Sequence, residues 1–337
     1  MKVTAIGVNN AFGVGKYHDA IVLDDYKRIV DESKDVNEIK AKLAKLPRKK
    51  LYEPKWQSNF LLEFDTPGKN GKSPYRLMID MGGDYRHALA LHGLKPGDIS
   101  GVYITHNHND HIGGMECQAL STIFNPFYSP KKKEWLGDRN VMEKLCFEQR
   151  EWSEPPDYAK PDLFIHEKVL SGLRKATGPG LETLQGVPNI RLETYFNIET
   201  IGKTENGYVR KFFQDGAKKW ELTPIFAMHV ISSSEEMASY GLKLKCVEGG
   251  DKKVLFPSDT QHCSPPQLII HYQEADVIYM DCETGIKSGV HPHITDLIDN
   301  LDPDIQKKCY LYHYDAEPEV PQGMFAGVLK IGDQHNY

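Results

Sequence analysis

Eleven residues constrain this chain more than any others: Ile104 to Gly114 reads I-T-H-N-H-N-D-H-I-G-G, with three histidines and one aspartate inside six positions. The apolar run ahead of it, Val102-Tyr103-Ile104, predicts a buried strand, and Ile112-Gly113-Gly114 predicts a turn. In extended backbone His106 and His108 project to the same side, because side chains alternate with period two. The turn then carries Asp110 and His111 towards a second point close by. Imidazole and carboxylate together suit zinc, manganese or iron, and the absence of cysteine argues against a closed structural zinc site.

The 337-residue chain is 40% hydrophobic and 26% charged, which is ordinary for a globular protein with a large core. Its net charge of −6 excludes whole-surface attraction to nucleic acid or anionic lipid, leaving room only for a local basic groove. Cys117, Cys146, Cys246, Cys263, Cys282 and Cys309 are scattered and form no C-x-x-C, the pattern of reduced thiols in a cytoplasmic protein. The N-terminal apolar stretch is short and broken by Gly7 and Asn9, so it predicts neither a signal peptide nor a membrane span.

Val3 to Val8 predicts a strand running into a Gly13-Val14-Gly15 turn, and Asp31 to Lys50 predicts a surface helix with Ile39, Leu43 and Leu46 at helical spacing. Ser58 to Phe64 and Arg76 to Ile79 predict a hairpin, Tyr85 to His92 a helix, and Ile99 to Ile104 the strand that delivers the cluster. Further strands are expected at Arg191 to Phe196, Trp220 to Val230, Ser239 to Cys246 and Lys253 to Phe256. The last third alternates: Val277 to Met280 as strand, His293 to Leu301 as helix, Cys309 to Tyr312 as strand. No domain boundary stands out, so residues 1–337 are expected to form one domain with an insertion at about 116–190.

Four more ligand types sit where apolar runs end. Asp80 ends L-M-I-D, His229 ends P-I-F-A-M-H, Asp259 follows V-L-F-P-S, and His313 follows C-Y-L-Y. Ligands at the C-terminal ends of strands, with helices between them, describe a layered α/β protein whose site lies along one sheet edge.

The order Asp80, then Thr105 to His111, then His229, Asp259 and His313 resembles the metallo-β-lactamase fold superfamily across about residues 57–315. The resemblance implies an αββα sandwich of two mixed β-sheets flanked by helices, here with the large insertion. It also implies two divalent metal ions, zinc first, with manganese or iron as alternatives. His106, His108 and His229 would hold one ion, and Asp110, His111 and His313 the other. Asp259 would bridge the two, and Asp80 would orient a ligand histidine.

W56-Q-S-N-F-L-L-E-F, the S-Y-G-L-K-L after His229, D276-V-I-Y-M-D-C-E-T, H293-I-T-D-L and L311-Y-H-Y are similar to the ribonuclease Z and cyclic phosphodiesterase branch. That branch implies a metal-activated hydroxide oriented by Asp110, a histidine general acid, and a homodimer. His293 matches the acid position best, with His291 as the fallback. The sequence departs from the pattern at Ser258, where the family commonly has glycine, and at Asp281-Cys282, where tRNA-processing members carry His-Glu.

The expected function is hydrolysis of a small or cyclic nucleotide-like phosphodiester. One rival is a tRNA 3′-end endonuclease, disfavoured because Lys131 to Lys160 carries seven basic against seven acidic residues and so has no net pull on a polyanion. The basic run Lys131 to Lys133 is expected to be solvated surface, and Trp135, Trp152 and Tyr158 to anchor the insertion. An ester, thioester or lactone hydrolase and a binding protein without catalysis are the other rivals.

Overall fold

The computed structural model describes residues 1–12, 16–20, 23–45, 49–69, 71, 73–124, 160–183, 190–230 and 237–337. The Gly13-Val14-Gly15 turn, Lys131 to Lys133, Trp135, Trp152 and Tyr158 lie outside these residues. The chain divides into two compact units, Gly13–Lys55 and the remainder, Met1–Phe12 with Trp56–Tyr337.

The smaller unit pairs β2 (Lys16–Ala20) antiparallel with β3 (Lys49–Glu53) around two helices, α1 (Leu23–Glu32) and α2 (Val36–Leu43). The single helix expected over Asp31 to Lys50 is therefore wrong. Asp35 breaks it, because its carboxylate accepts the backbone N–H groups of Asn37 and Glu38 at 2.7 and 2.9 Å, capping a new helix.

The larger unit contains two seven-stranded sheets. The first, in spatial order, is β18 (Gln334–Asn336), β1 (Lys2–Gly7), β4 (Asn59–Phe64), β5 (Tyr75–Ile79), β6 (Gly101–Ile104), β7 (Asp162–Ile165) and β8 (Asn197–Thr200). The second is β11 (Lys211–Asp215), β12 (Lys218–Ala227), β13 (Ser239–Glu248), β14 (Lys253–Phe256), β15 (Val277–Asp281), β16 (Cys309–Tyr312) and β17 (Gly327–Val328). A small ribbon pairs β9 (Gly202–Thr204) with β10 (Gly207–Val209). Both large sheets are mixed, with β5 to β8 parallel in one and β14 to β17 parallel in the other.

Side-chain alternation sorts the core into three layers. Phe60, Leu62, Leu77, Tyr103 and Phe164 of the first sheet meet Phe256, Tyr279 and Tyr312 of the second between the sheets. The alternate residues Leu61, Met78, Val102 and Leu163 pack under helices α3 (Tyr85–Leu91), α5 (Met115–Phe124) and α6 (Glu167–Leu181). Leu255, Ile278 and Leu311 face α8 (Ile269–Glu274), α9 (Ile294–Asn300) and α10 (Pro303–Gln306) on the other side. Strands covered on both faces read as continuous apolar runs, which is why they stood out in the sequence. The result is the expected αββα sandwich.

Two expectations fail in this unit. The span 116–190 is not simply an insertion: it supplies β7, hydrogen-bonded between β6 and β8, and the helix α6. The strand expected over Arg191 to Phe196 is instead a helical turn, α7 (Leu192–Tyr195), followed by β8. Its apolar residues Leu192, Tyr195 and Phe196 are buried beside the helices of the first sheet, so they needed no strand to be covered. Among the described residues no helix is long and apolar enough to cross a membrane.

Candidate metal centre

Every strand that feeds the site does so from its C-terminal end, and the parallel strands put those ends along one edge. Asp80 follows β5, the histidine cluster follows β6, and His229, Asp259 and His313 follow β12, β14 and β16, while Asp281 is the last residue of β15. Three of the residues there turn through the left-handed region without being glycine: Asp80 at φ 62°, Ser258 at 64° and His313 at 67°. Such backbone costs energy that the surrounding structure must hold, and it clusters at functional sites. Ser258, which stands where the family commonly has glycine, takes the left-handed backbone itself.

Asp80 is the anchor. Its carboxylate accepts the Thr105 N–H at 2.9 Å, the Thr105 hydroxyl at 2.8 Å and His111 Nδ1–H at 2.7 Å. Because the Thr105 proton goes to Asp80, its oxygen is left to accept from His106 Nδ1, 3.0 Å away. Two imidazoles are thereby turned so that their Nε2 atoms face inward. Met81 N–H to His111 O (2.7 Å) and Gly114 N–H to Met81 O (2.8 Å) clip the short helix α4 (Asn109–Ile112) to this turn. Gly82 permits the clip, since a Cβ there would sit 2.3 Å from the Asp110 carbonyl oxygen.

Around that scaffold the ligand atoms form two joined groups. His106, His108, His229 and Asp259 place one atom each within 4.8 Å of one another, and so do Asp110, His111, Asp259 and His313. His108 Nδ1 lies 3.1 Å from both His106 Nε2 and His229 Nε2, while His229 Nδ1 donates to Val290 O at 2.9 Å. Asp259 Oδ2 is 3.2 Å from His111 Nε2, 3.6 Å from His313 Nε2 and 3.7 Å from the Nε2 atoms of His106 and His229. Asp110 Oδ2 stands 3.4 Å from the Nε2 atoms of both His111 and His313.

The site fits two divalent cations on its own chemistry. Asp259 is buried, yet its Oδ1 has no hydrogen-bond donor. A buried carboxylate oxygen without a donor is costly unless a cation meets it. Burial pushes His106 well below the ordinary histidine range, and burial likewise lowers His108 and takes His229 down to about 4, so this group presents neutral imidazoles ready to ligate. In the other group burial opposes charge on His111 and His313, but the surrounding carboxylates, Asp259 foremost, outweigh it and hold both well above that range. There protons occupy the positions that a cation would take.

All seven ligand positions and Asp80 thus converge, but His293 does not. It is the N-cap of α9: its ring accepts the Thr295 N–H at 3.2 Å, and Nε2 lies 3.1 Å from Gly285 O. His291 faces the site instead, lining the cavity with His108, Asp110, His229 and His313. Asp281, in sequence only a departure from the tRNA-processing pattern, receives His291 Nδ1–H at 2.8 Å and the Thr260 N–H at 3.1 Å and stands 3.3 Å from His313 Nδ1. The signal was present, because Asp281 closes the apolar strand V-I-Y-M-D just as Asp80 closes its own. The cavity holds about 310 Å³, at the lower end for small-molecule sites.

Residues 51–146 and 140–335 match the family described as Anti-Pycsar protein Apyc1. The chain belongs to that family. An Anti-Pycsar protein Apyc1 from Bacillus phage 010DV004 is 26% identical over 262 residues, covering 77% of this chain and 82% of the relative. Two solved structures share the fold over nearly the whole of both chains. A diphosphatase from the PhnP family is 14% identical, covers 100% of this chain and 97% of its own, and superposes with a TM-score of 0.54. The metallo-β-lactamase fold protein YhfI from Bacillus subtilis is 14% identical, with 99% and 98% coverage and a TM-score of 0.52. The fold that the resemblance implied is therefore the fold of this chain.

Proposed function

We propose that this protein is a metal-dependent phosphodiesterase that hydrolyses a small or cyclic nucleotide-like substrate. The carrying observation is that an oriented acid, His291 on Asp281, stands in one small cavity with two carboxylate-histidine groups. His106, His108 and His229 would hold one ion and Asp110, His111 and His313 the other, with Asp259 available to both. Two such ions lower the pKa of water to near neutrality and offset charge on a phosphoryl group.

The chain's own residues do the rest. Asp110 orients the attacking water and takes up its proton. His291, held by Asp281, gives a proton to the departing oxygen, which an alkoxide leaving group needs. Zinc is the favoured metal, and scattered free thiols at Cys117, Cys246, Cys263, Cys282 and Cys309 suit the reducing cytoplasm. The working form is a homodimer, as the branch suggests. Its relatives are named for opposing Pycsar, and we extend that role to this chain.

The test is a hydrolysis screen of metal-reconstituted protein against 2′,3′- and 3′,5′-cyclic nucleotides, bis-nitrophenyl phosphate, precursor tRNA and a lactone. Turnover of cyclic nucleotide without turnover of lactone is the expected result. Cleavage of precursor tRNA alone would overturn it in favour of the endonuclease, which the net charge of −6 disfavours.

A further inference from the structure

Phe12 stands at the cavity that contains His108, Asp110, His229 and His313, yet 84% of its surface is exposed. A phenyl ring so exposed adds little to the core, and here its apolar face is open beside a charged pocket. Its placement is built, not incidental. Val8 O accepts the backbone N–H of His313 at 2.7 Å, Asn9 Nδ2 donates to Tyr314 O at 3.1 Å, and Ser58 Oγ donates to Asn9 O at 2.9 Å. The segment carrying Phe12 is thus tied to the strand end that carries a metal-ligand histidine. One step further on, Asn10 Oδ1 accepts the Phe12 N–H at 3.1 Å, which closes an Asx turn under the ring.

We infer that Phe12 is the stacking platform for the nucleobase of the substrate, and so the residue that makes this site prefer nucleotides over other phosphodiesters. The inference rests on the phosphodiesterase reading above. With the phosphodiester at the carboxylate-histidine groups, the base of a mononucleotide projects towards the rim, where Ala11, Phe12 and Val290 supply the apolar contact. A flat π-face needs no hydrogen-bonding partner to hold a base, and stacking of this kind is worth enough to change affinity by roughly ten- to a hundredfold.

The experiment compares a 3′,5′-cyclic nucleotide with the 1-O-methyl ribose cyclic phosphate, which lacks the base, in the metal-loaded full chain. In the unaltered protein kcat/KM should favour the nucleotide by about tenfold or more. Phe12→Ala should raise KM for the nucleotide by about tenfold, leave kcat within about twofold, and leave the base-free substrate unaffected, while Phe12→Trp should preserve the preference. Because the ring is exposed, neither change threatens folding. Equal effects on both substrates, or no effect on either with turnover intact, would overturn the stacking role alone. So would a Phe12→Ala protein that changes oligomeric state while keeping its substrate preference, because the ring would then be covered by a second copy. Absence of turnover on both substrates in the unaltered protein would overturn the phosphodiesterase reading, and this inference with it.

Discussion

His291 Nδ1 donates to Asp281 Oδ2 across 2.8 Å, and the aspartate is wholly buried while the imidazole keeps an edge in the cavity. The bond decides which ring nitrogen meets substrate, because Nδ1 is committed and Nε2 is left. Burial opposes charge on the ring, but Asp281 outweighs it and holds His291 above the ordinary histidine range. An imidazole that is both protonated and aimed is what a departing alkoxide requires.

Replacing His291 with alanine should therefore lower kcat on a cyclic nucleotide by roughly 10²–10⁴, and on a nitrophenyl ester far less, since nitrophenolate leaves without a proton. Asp281→Asn should show the same leaving-group dependence at a smaller size. Equal losses on both substrates, read from steady-state kinetics, would remove the acid role.

His293→Ala should behave differently. It deletes the cap of α9 and the contact with Gly285, so it should cost about 0.5–2 kcal/mol of stability in denaturant unfolding. The ratio of nucleotide to nitrophenyl ester turnover should stay where it was. A changed ratio would return His293 to the chemistry.

Ser258→Gly should stabilise the protein. The serine holds φ at 64° and buries a hydroxyl that has no hydrogen-bond partner. Left-handed backbone costs a residue with a Cβ about 1–2 kcal/mol, offset in part by the greater freedom of glycine when unfolded. A net gain of roughly 0.5–1 kcal/mol is expected from the unfolding midpoint.

Metal removal should expose a pH dependence. His111 and His313 have raised folded-state pKa values, so their contribution is fully present below the unfolded value of about 6.5 and is lost as pH rises through the folded values. The metal-stripped protein should thus lose Tm as pH rises above about 6.5, as the protons that offset Asp110 and Asp259 depart. Metal takes over that role, so the loaded protein should hold its Tm across the same range, and loading should release protons measurable in weak buffer. A stripped protein more stable at the higher pH would contradict the assignment.

How much of this was legible in the sequence differs from part to part, for physical reasons. Each ligand follows an apolar strand, and strands buried on both faces are easily seen, so His106, Asp259 and His313 could be picked out along with their layer. Asp281 obeys the same rule, closing the apolar run V-I-Y-M-D, but comparison with the tRNA-processing pattern conceals it. The strand Asp162–Ile165 was hidden by the charged stretch before it, and only its pairing with Val102 and Ile198 flanks reveals it as part of the sheet. At Asp35 a capping carboxylate outweighed helical spacing, a competition that residues 31–50 alone do not settle.

The sequence by itself determined the donor chemistry and a layered α/β frame, because residue type and alternation depend only on what is adjacent along the chain. Tertiary structure alone separates His291, which lines the cavity, from His293, which caps a helix, although they stand on either side of Pro292 and look alike in one dimension. What separates them is partners distant in the chain or folded back upon it: Asp281 draws one ring into the cavity, while Thr295 and Gly285 hold the other at the start of a helix. A hydrogen bond from the His291 loop to the end of strand β15 is a fact of three dimensions, and only there do the two histidines part.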